Sequence, residues 1–177
     1  MIKLRPAVKD DIELLTNLGR TTFMESFSHL NNPIHFQKYL DENHVQKVIE
    51  AEFNNEKNYF FIAEYDNEPA GFFKIVFDEH EDQPLLKDKK CLELERIYIL
   101  NKFQGLKISS EIIDKTFKIA ADHQFELVWL GVWENNIKAI TIYKKWGFEI
   151  FGSHIFNLGG DLQTDLLMRK NVNPHKN

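Results

Sequence analysis

The stretch from Leu92 to Ala121 constrains this chain most, because its hydrophobic period changes partway along. LELERIYIL is apolar and β-rich, lacks Gly and Pro, and reads as a strand. From Ile108 onward, Ile112, Ile113, Thr116, Phe117, Ile119 and Ala120 return at three and four, which predicts a helix. A short turn joins them, with one glycine, Gly105, and two serines, Ser109 and Ser110. A strand that feeds a helix through a tight turn exposes N–H groups with no partner inside the helix. They sit at the positive end of the helix dipole. Such a turn makes an anion site suited to a pyrophosphate.

The strand does not alternate evenly. Leu92 and Leu94 fall on even positions, Ile97 and Ile99 on odd ones. On a regular strand these pairs face opposite ways. One extra residue near Glu95–Arg96 would return both to one face, and that is a β-bulge, a device common beside active sites. A strand buried on both faces is the other reading. After the helix, ELVWLGVW (126–133) reads as a buried strand, and the helix is long enough for a right-handed crossover to a parallel partner. A further helix begins at Asn135 or Asn136. Ala139, Ile142, Tyr143 and Trp146 share one face of it, and Gly147 suits its C-terminal cap.

The rest of the chain predicts a strand at Ile2–Arg5, ended by Pro6. A helix follows, capped by Asp10 or Asp11, with Ile12, Leu15 and Leu18 inward and Gly19 as a weak point; Phe23, Met24 and Phe27 continue its stripe. Asn31–Asn32–Pro33 reads as a turn. A helical region follows from Ile34 to Phe53, with an interruption near Asp41–Asn43. Tyr59–Tyr65 and Ala70–Phe77 form a hairpin about a turn at 66–69. Residues 78–90 are polar and read as a loop. Two closing strands, Phe148–Phe156 and Thr164–Arg169, are joined by a Gly-rich loop over 157–163. No linker or repeat divides the chain, so residues 1–170 are read as one domain and 171–177 as a tail.

LERIYIL, the QGLKIS turn and WENNIKAITIYKKWGF together resemble the GNAT acyltransferases, and the similarity runs from Ile2 to about Lys170. Within them the chain looks most like the bacterial polyamine-acetyltransferase branch, through TTFMESF, KKWGF and GSHIFNLGGDLQTDLLM. The resemblance implies an α/β (α+β) fold: a mixed, mostly antiparallel sheet of about seven strands flanked by about four helices, with a bulged strand at the cofactor site. The loop departs from the usual pattern where Lys107 and Ser109 replace small residues.

The same resemblance implies acetyl-CoA as cosubstrate. Its pyrophosphate would lie on Gln104, Gly105, Leu106, Lys107, Ile108 and Ser109. Its pantetheine arm would pair with the backbone of Ile97, Tyr98 and Ile99, like an added strand. Asn136 would touch it, unless that residue is a simple helix cap. Tyr143, matching the family's Asn-x-x-Ala-x-x-x-Tyr pattern with Asn136 and Ala139, would protonate the departing sulfur, unless it is a plain core tyrosine.

Acyl transfer to an amine also needs a proton acceptor, because alkyl ammonium groups titrate near 10.4. Glu93 and Glu95 flank the expected bulge. Glu95 is the choice for a base acting through water, against a salt bridge to Arg96 or a nearby lysine. The acceptor implied is a small-molecule primary amine, such as a polyamine. A protein N-terminus, or a GNAT module that binds acyl-CoA without catalysis, are the alternatives.

Net charge of -5 argues against a general nucleic-acid binder. It favours a cationic acceptor, with Glu25, Asp41, Glu42 and Asp161 expected on the acceptor rim. The run Asp78–Glu79–His80–Glu81–Asp82 matches no metal-ligand spacing, so no metal is expected. One cysteine, Cys91, forms no internal disulfide. No leader or spanning segment is read, and the expectation is a cytoplasmic protein without a membrane partner; a homodimer is compatible with all of this.

Overall fold

The computed structural model describes residues 1–77, 84–87 and 89–172. The run Asp78–Asp82 and the tail beyond 172 lie outside the described residues. Seven strands form one sheet: β1 (Ile2–Pro6), β2 (Asn58–Tyr65), β3 (Glu68–Phe77), β4 (Cys91–Ile99), β5 (Leu127–Trp133), β6 (Glu149–Leu158) and β7 (Asp161–Asn171). Their order is β1-β2-β3-β4-β5-β7-β6, antiparallel throughout except for β4 with β5. Five α-helices are described: α1 (Ile12–Phe27), α2 (Pro33–Asn43), α3 (Gln46–Phe53), α4 (Ile108–Asp122) and α5 (Ile137–Lys145). The fifth arises because the helical region expected over 34–53 divides at His44–Val45, close to the expected interruption.

Helices cover both faces of the sheet, so the inner strands are largely apolar on both faces. Phe61, Phe73, Leu92, Leu130 and Met168 meet Ile108, Ile112 and Ile113 of α4 on one face. On the other, Phe60, Ile62 and Phe72 meet Leu15 and Leu18 of α1 and Ile49 of α3. At about 25 cal/mol per Å² of apolar surface, these two layers supply most of the folding drive.

Three local features differ from the sequence reading. The first strand runs one residue further than expected and ends on Pro6 itself, which pairs with Phe61, as an edge strand tolerates. Helix α1 runs straight through Gly19, because the glycine serves packing: a Cβ there would lie 3.2 Å from His44 Nδ1 and 3.6 Å from the Phe72 ring. The loop expected over 157–163 is a two-residue turn, Gly159–Gly160, with both φ angles positive, as tight hairpins require. A Cβ on Gly159 would meet the His35 carbonyl oxygen at 2.0 Å, so the hairpin tip docks on α2. His35 Nδ1 lies 3.0 Å from the Gly159 oxygen at that contact.

Candidate active site

The bulge is present, and Glu95 is the extra residue. Opposite β3, Arg96 pairs with Lys74 and Leu94 with Ile75, and Glu95 has no partner. The insertion turns Leu92, Leu94, Ile97 and Ile99 to the α4 face and leaves Tyr98 on the other. It also places two cations, Lys74 and Arg96, directly opposite each other on neighbouring strands, an arrangement that repels unless neutralised. Two carboxylates neutralise it. Glu52 of α3 accepts two hydrogen bonds from Arg96, at 2.7 and 2.8 Å, and one from Lys74 at 3.3 Å. Glu95 places one oxygen 2.7 Å from Lys74 and the other 3.2 Å from Arg96. Glu95 therefore stands where the sequence put it, but in the ion pairs that were the competing reading. Burial alone would raise the Glu52 carboxyl; Arg96 and Lys74 overcome this and hold it below the usual carboxylate range.

Beyond the bulge the sheet opens. β4 and β5 pair only at Cys91–Leu127, Leu92–Val128 and Glu93–Trp129, whereas β5 stays paired with β7 along its whole length. The β5-facing edge of β4 from Leu94 to Ile99 thus faces a slot. A cavity of about 310 Å³ runs through it. On the α4 and α5 face the cavity is lined by Val132, Ala139 and Tyr143, and on the α1 and α2 face by Phe23, Phe27, Tyr39, Tyr98 and Phe156.

Of the expected site residues the cavity collects Glu95, Ile97, Tyr98, Asn136 and Tyr143. Ile99 and Gln104–Ser109 lie outside its lining, on the strand end and on the turn that leads into α4. The Tyr143 ring packs 6.0 Å from Trp146 and 5.9 Å from Phe148, and burial pushes its hydroxyl up to about 12. It therefore carries its proton across the physiological range. Asn136 does cap α5, accepting from Ala139 N at 3.2 Å, and lines the cavity as well.

The turn fits an anionic group. The N–H groups of Gly105, Leu106, Lys107, Ile108 and Ser109 donate to no acceptor among the described residues. Space beside Gly105 is open: a Cβ there would meet nothing within 4 Å. Lys107 is the N-cap of α4 with φ 63 and ψ 12, a left-handed conformation in which a side chain is strained. Lys138 reaches the start of the turn from α5, donating to Gln104 Oε1 at 2.8 Å, and so adds a second cation to this region.

The acids expected on the rim are engaged elsewhere. Glu25 accepts from the Asn101 N–H, Asp41 pairs with Arg20, Glu42 lies 4.0 Å from Lys38, and Asp161 accepts from Gln163. None of the four lines the cavity; Glu93, Glu95 and Asp165 do. Asp165 and its neighbour His154 were not anticipated. They meet because the tight Gly159–Gly160 hairpin sets His154 of β6 opposite Asp165 of β7, and the one local signal was a glycine, Gly131, inside an apolar strand. Among the described residues no group of three or more His, Cys, Asp or Glu is placed to hold a metal, and no helix is long and apolar enough to cross a membrane.

A family model described as the acetyltransferase (GNAT) family matches residues 22–148. An uncharacterised N-acetyltransferase from the pepI 3' region of Lactobacillus delbrueckii subsp. lactis is 28% identical over 169 residues, covering 96% of each chain. The spermine/spermidine N(1)-acetyltransferase of Bacillus subtilis is 29% identical over 95 residues, which is 52% of this chain and 60% of that one. Among solved structures, the PaiA N-acetyltransferase of Thermoplasma acidophilum in complex with coenzyme A superposes with a TM-score of 0.77. It covers 97% of this chain and 99% of its own at 19% identity, a likeness of fold. With the split between β4 and β5, the bulge at Glu95 and the open turn before α4 in place, the chain belongs to the GNAT acetyltransferase family.

Proposed function

We propose that this acetyltransferase moves an acetyl group directly from acetyl-CoA to a primary amine of a small molecule, a polyamine being the acceptor class. The observation that carries the reading is the cavity through the slot, which joins Tyr143 on one face to an aromatic chamber on the other. The free N–H groups of residues 105–109 would hold the pyrophosphate, helped by Lys107, and the open edge of β4 at Ile97–Ile99 would pair with the pantetheine arm. Acetyl-CoA supplies the thioester. Tyr143 holds a proton for the leaving sulfur, and burial keeps that proton on its oxygen. Glu95 would draw the acceptor's proton through water, its ion pairs fixing its position; a purely structural role is the alternative that those pairs favour. A chamber walled by Phe23, Phe27, Tyr39 and Phe156 suits a slender alkyl amine, and the similarity to the Bacillus enzyme supports a polyamine.

Calorimetry should show one mole of acetyl-CoA bound per chain, and mass spectrometry of a panel of small amines should show one acetyl added to spermidine. No binding at millimolar acetyl-CoA, or acetylation of peptide N-termini alone, would overturn the assignment.

Lys107 offers a second check. The left-handed conformation costs a side-chain residue about 1–2 kcal/mol. Glycine removes that strain but adds roughly 0.5–1 kcal/mol of chain entropy to be lost on folding. Lys107→Gly should therefore change stability by no more than about 1.5 kcal/mol and bind acetyl-CoA at least as tightly as the native protein. A tenfold weaker Kd would show that the lysine charge, not the backbone, holds the phosphates.

A further inference from the structure

Asp165 stands at the middle of a row that crosses three strands. It pairs with Trp133 of β5 on one side and with His154 of β6 on the other, so all three side chains point to the α1 and α2 face. That face is the one opposite Tyr143. One carboxylate oxygen lies 3.5 Å from His154 Nε2. The other, Oδ1, is buried and has no hydrogen-bond partner. No lysine or arginine forms an ion pair with Asp165 among the described residues. Burial raises its carboxyl above the usual range, opposed by His154. A buried acceptor atom without a donor is costly, and the residue that carries this one lines the cavity.

The layer above it has a hole. Gly131 lies in the interior of a buried strand, yet it is exposed. A Cβ there would lie 3.8 Å from Asp165 Oδ2 and 3.9 Å from His154 Nε2. The missing side chain leaves room beside the carboxylate. Trp133 and Phe156 flank the space on the same face, and Phe27 and Tyr39 steady them through edge contacts at 6.1 and 5.3 Å. A carboxylate with a spare oxygen, ringed by aromatic faces, is the chemistry that recognises an ammonium: three N–H donors for the oxygen and a cation for the rings.

We infer that Asp165, with Trp133 and Phe156, binds a protonated amine of the acceptor other than the one acetylated, and so selects diamines and longer polyamines over monoamines. This rests on the amine-acetyltransferase reading of the cavity. The position favours recognition over proton transfer. The attacked carbon must sit at the slot between β4 and β5, whereas Asp165 is on β7, a strand spacing of about 4.8 Å beyond β5. That offset suits the far end of a linear acceptor.

The test compares 1,4-diaminobutane with butylamine. Asp165→Asn keeps the shape and removes the charge. Loss of one charge-assisted hydrogen bond corresponds to about a 30-fold rise in KM for the diamine. Its kcat should stay within threefold, and kcat/KM for butylamine should not move. Gly131→Ala retains Asp165 at ordinary contact distances but fills the adjoining space, so it should also raise KM for the diamine while sparing butylamine. Calorimetry with coenzyme A present should show diamine binding to the native protein and none to Asp165→Asn. Equal loss of kcat for both amines would make Asp165 a base and overturn the inference, as would diamine binding that survives Asp165→Asn or is missing from the native protein. A native protein that binds the diamine through Asp165 but acetylates neither amine would uphold the site and refute the reaction.

Discussion

Replacing Tyr143 by phenylalanine is expected to lower kcat about a hundredfold, the lower end of what a positioned general acid contributes. The ring keeps its contacts with Trp146 and Phe148, so the fold and the acetyl-CoA Kd should hold within a few-fold. The low end is chosen because a thiolate already leaves tolerably without help. Burial moves the hydroxyl up to about 12, so the alkaline decline in kcat should begin well above the free-tyrosine value of about 10. Stopped assays with an amine that is already neutral isolate this step. Undiminished kcat in a folded Tyr143→Phe protein would remove the tyrosine from the mechanism.

The second large effect is on stability. Arg96→Gln is expected to destabilise the protein by about 3–5 kcal/mol, the range for breaking one member of a buried ionic group. Two carboxylates, Glu52 and Glu95, would then share the single charge of Lys74, which is only 4% exposed. Guanidinium unfolding of the single variant and of Glu52→Gln/Arg96→Gln separates charge imbalance from lost packing. The double variant leaves Lys74 with Glu95 as a neutral pair and should recover part of the loss. A midpoint unchanged in Arg96→Gln would mean that solvent reaches the group freely. The sign of the pH dependence follows from Glu52. Its carboxyl is lowered in the fold, so its contribution is full above the ordinary carboxylate range and is lost as pH falls through the lowered value.

These two sites differ in how far the sequence disclosed them. The bulge at Glu95 was legible because a phase slip between Leu92–Leu94 and Ile97–Ile99 is local, and only an inserted residue lets one face stay apolar. Tyr143 was singled out through the family pattern it shares with Asn136 and Ala139, and the structure puts it in the cavity lining. The partner of the bulge was not legible: Glu52 arrives from α3, and nothing near it in sequence marks it among the other helical acids. Asp165 and His154 were hidden for the same reason. Hairpin register alone sets His154 opposite Asp165, but bringing the pair beside Trp133 depends on the strand order β5-β7-β6. The outer strand β6 is largely exposed, so its alternation carries little apolar signal, and its end was read as loop.

The order β5-β7-β6 also governs how the molecule comes into being on the ribosome. Strands β1 to β4 neighbour one another in the order in which they are made, so each can pair as it emerges. The other half cannot. β5 and β6 hydrogen-bond to β7 and not to each other, and β7 is the latest of the strands to be synthesised. Until residues 161–171 have cleared the exit tunnel, the apolar strand Leu127–Trp133 has an uncovered edge, and Trp133, Asp165 and His154 have not met. The nascent chain therefore carries a half-built sheet with a sticky margin, the kind of surface that chaperones cover, until β7 is in place.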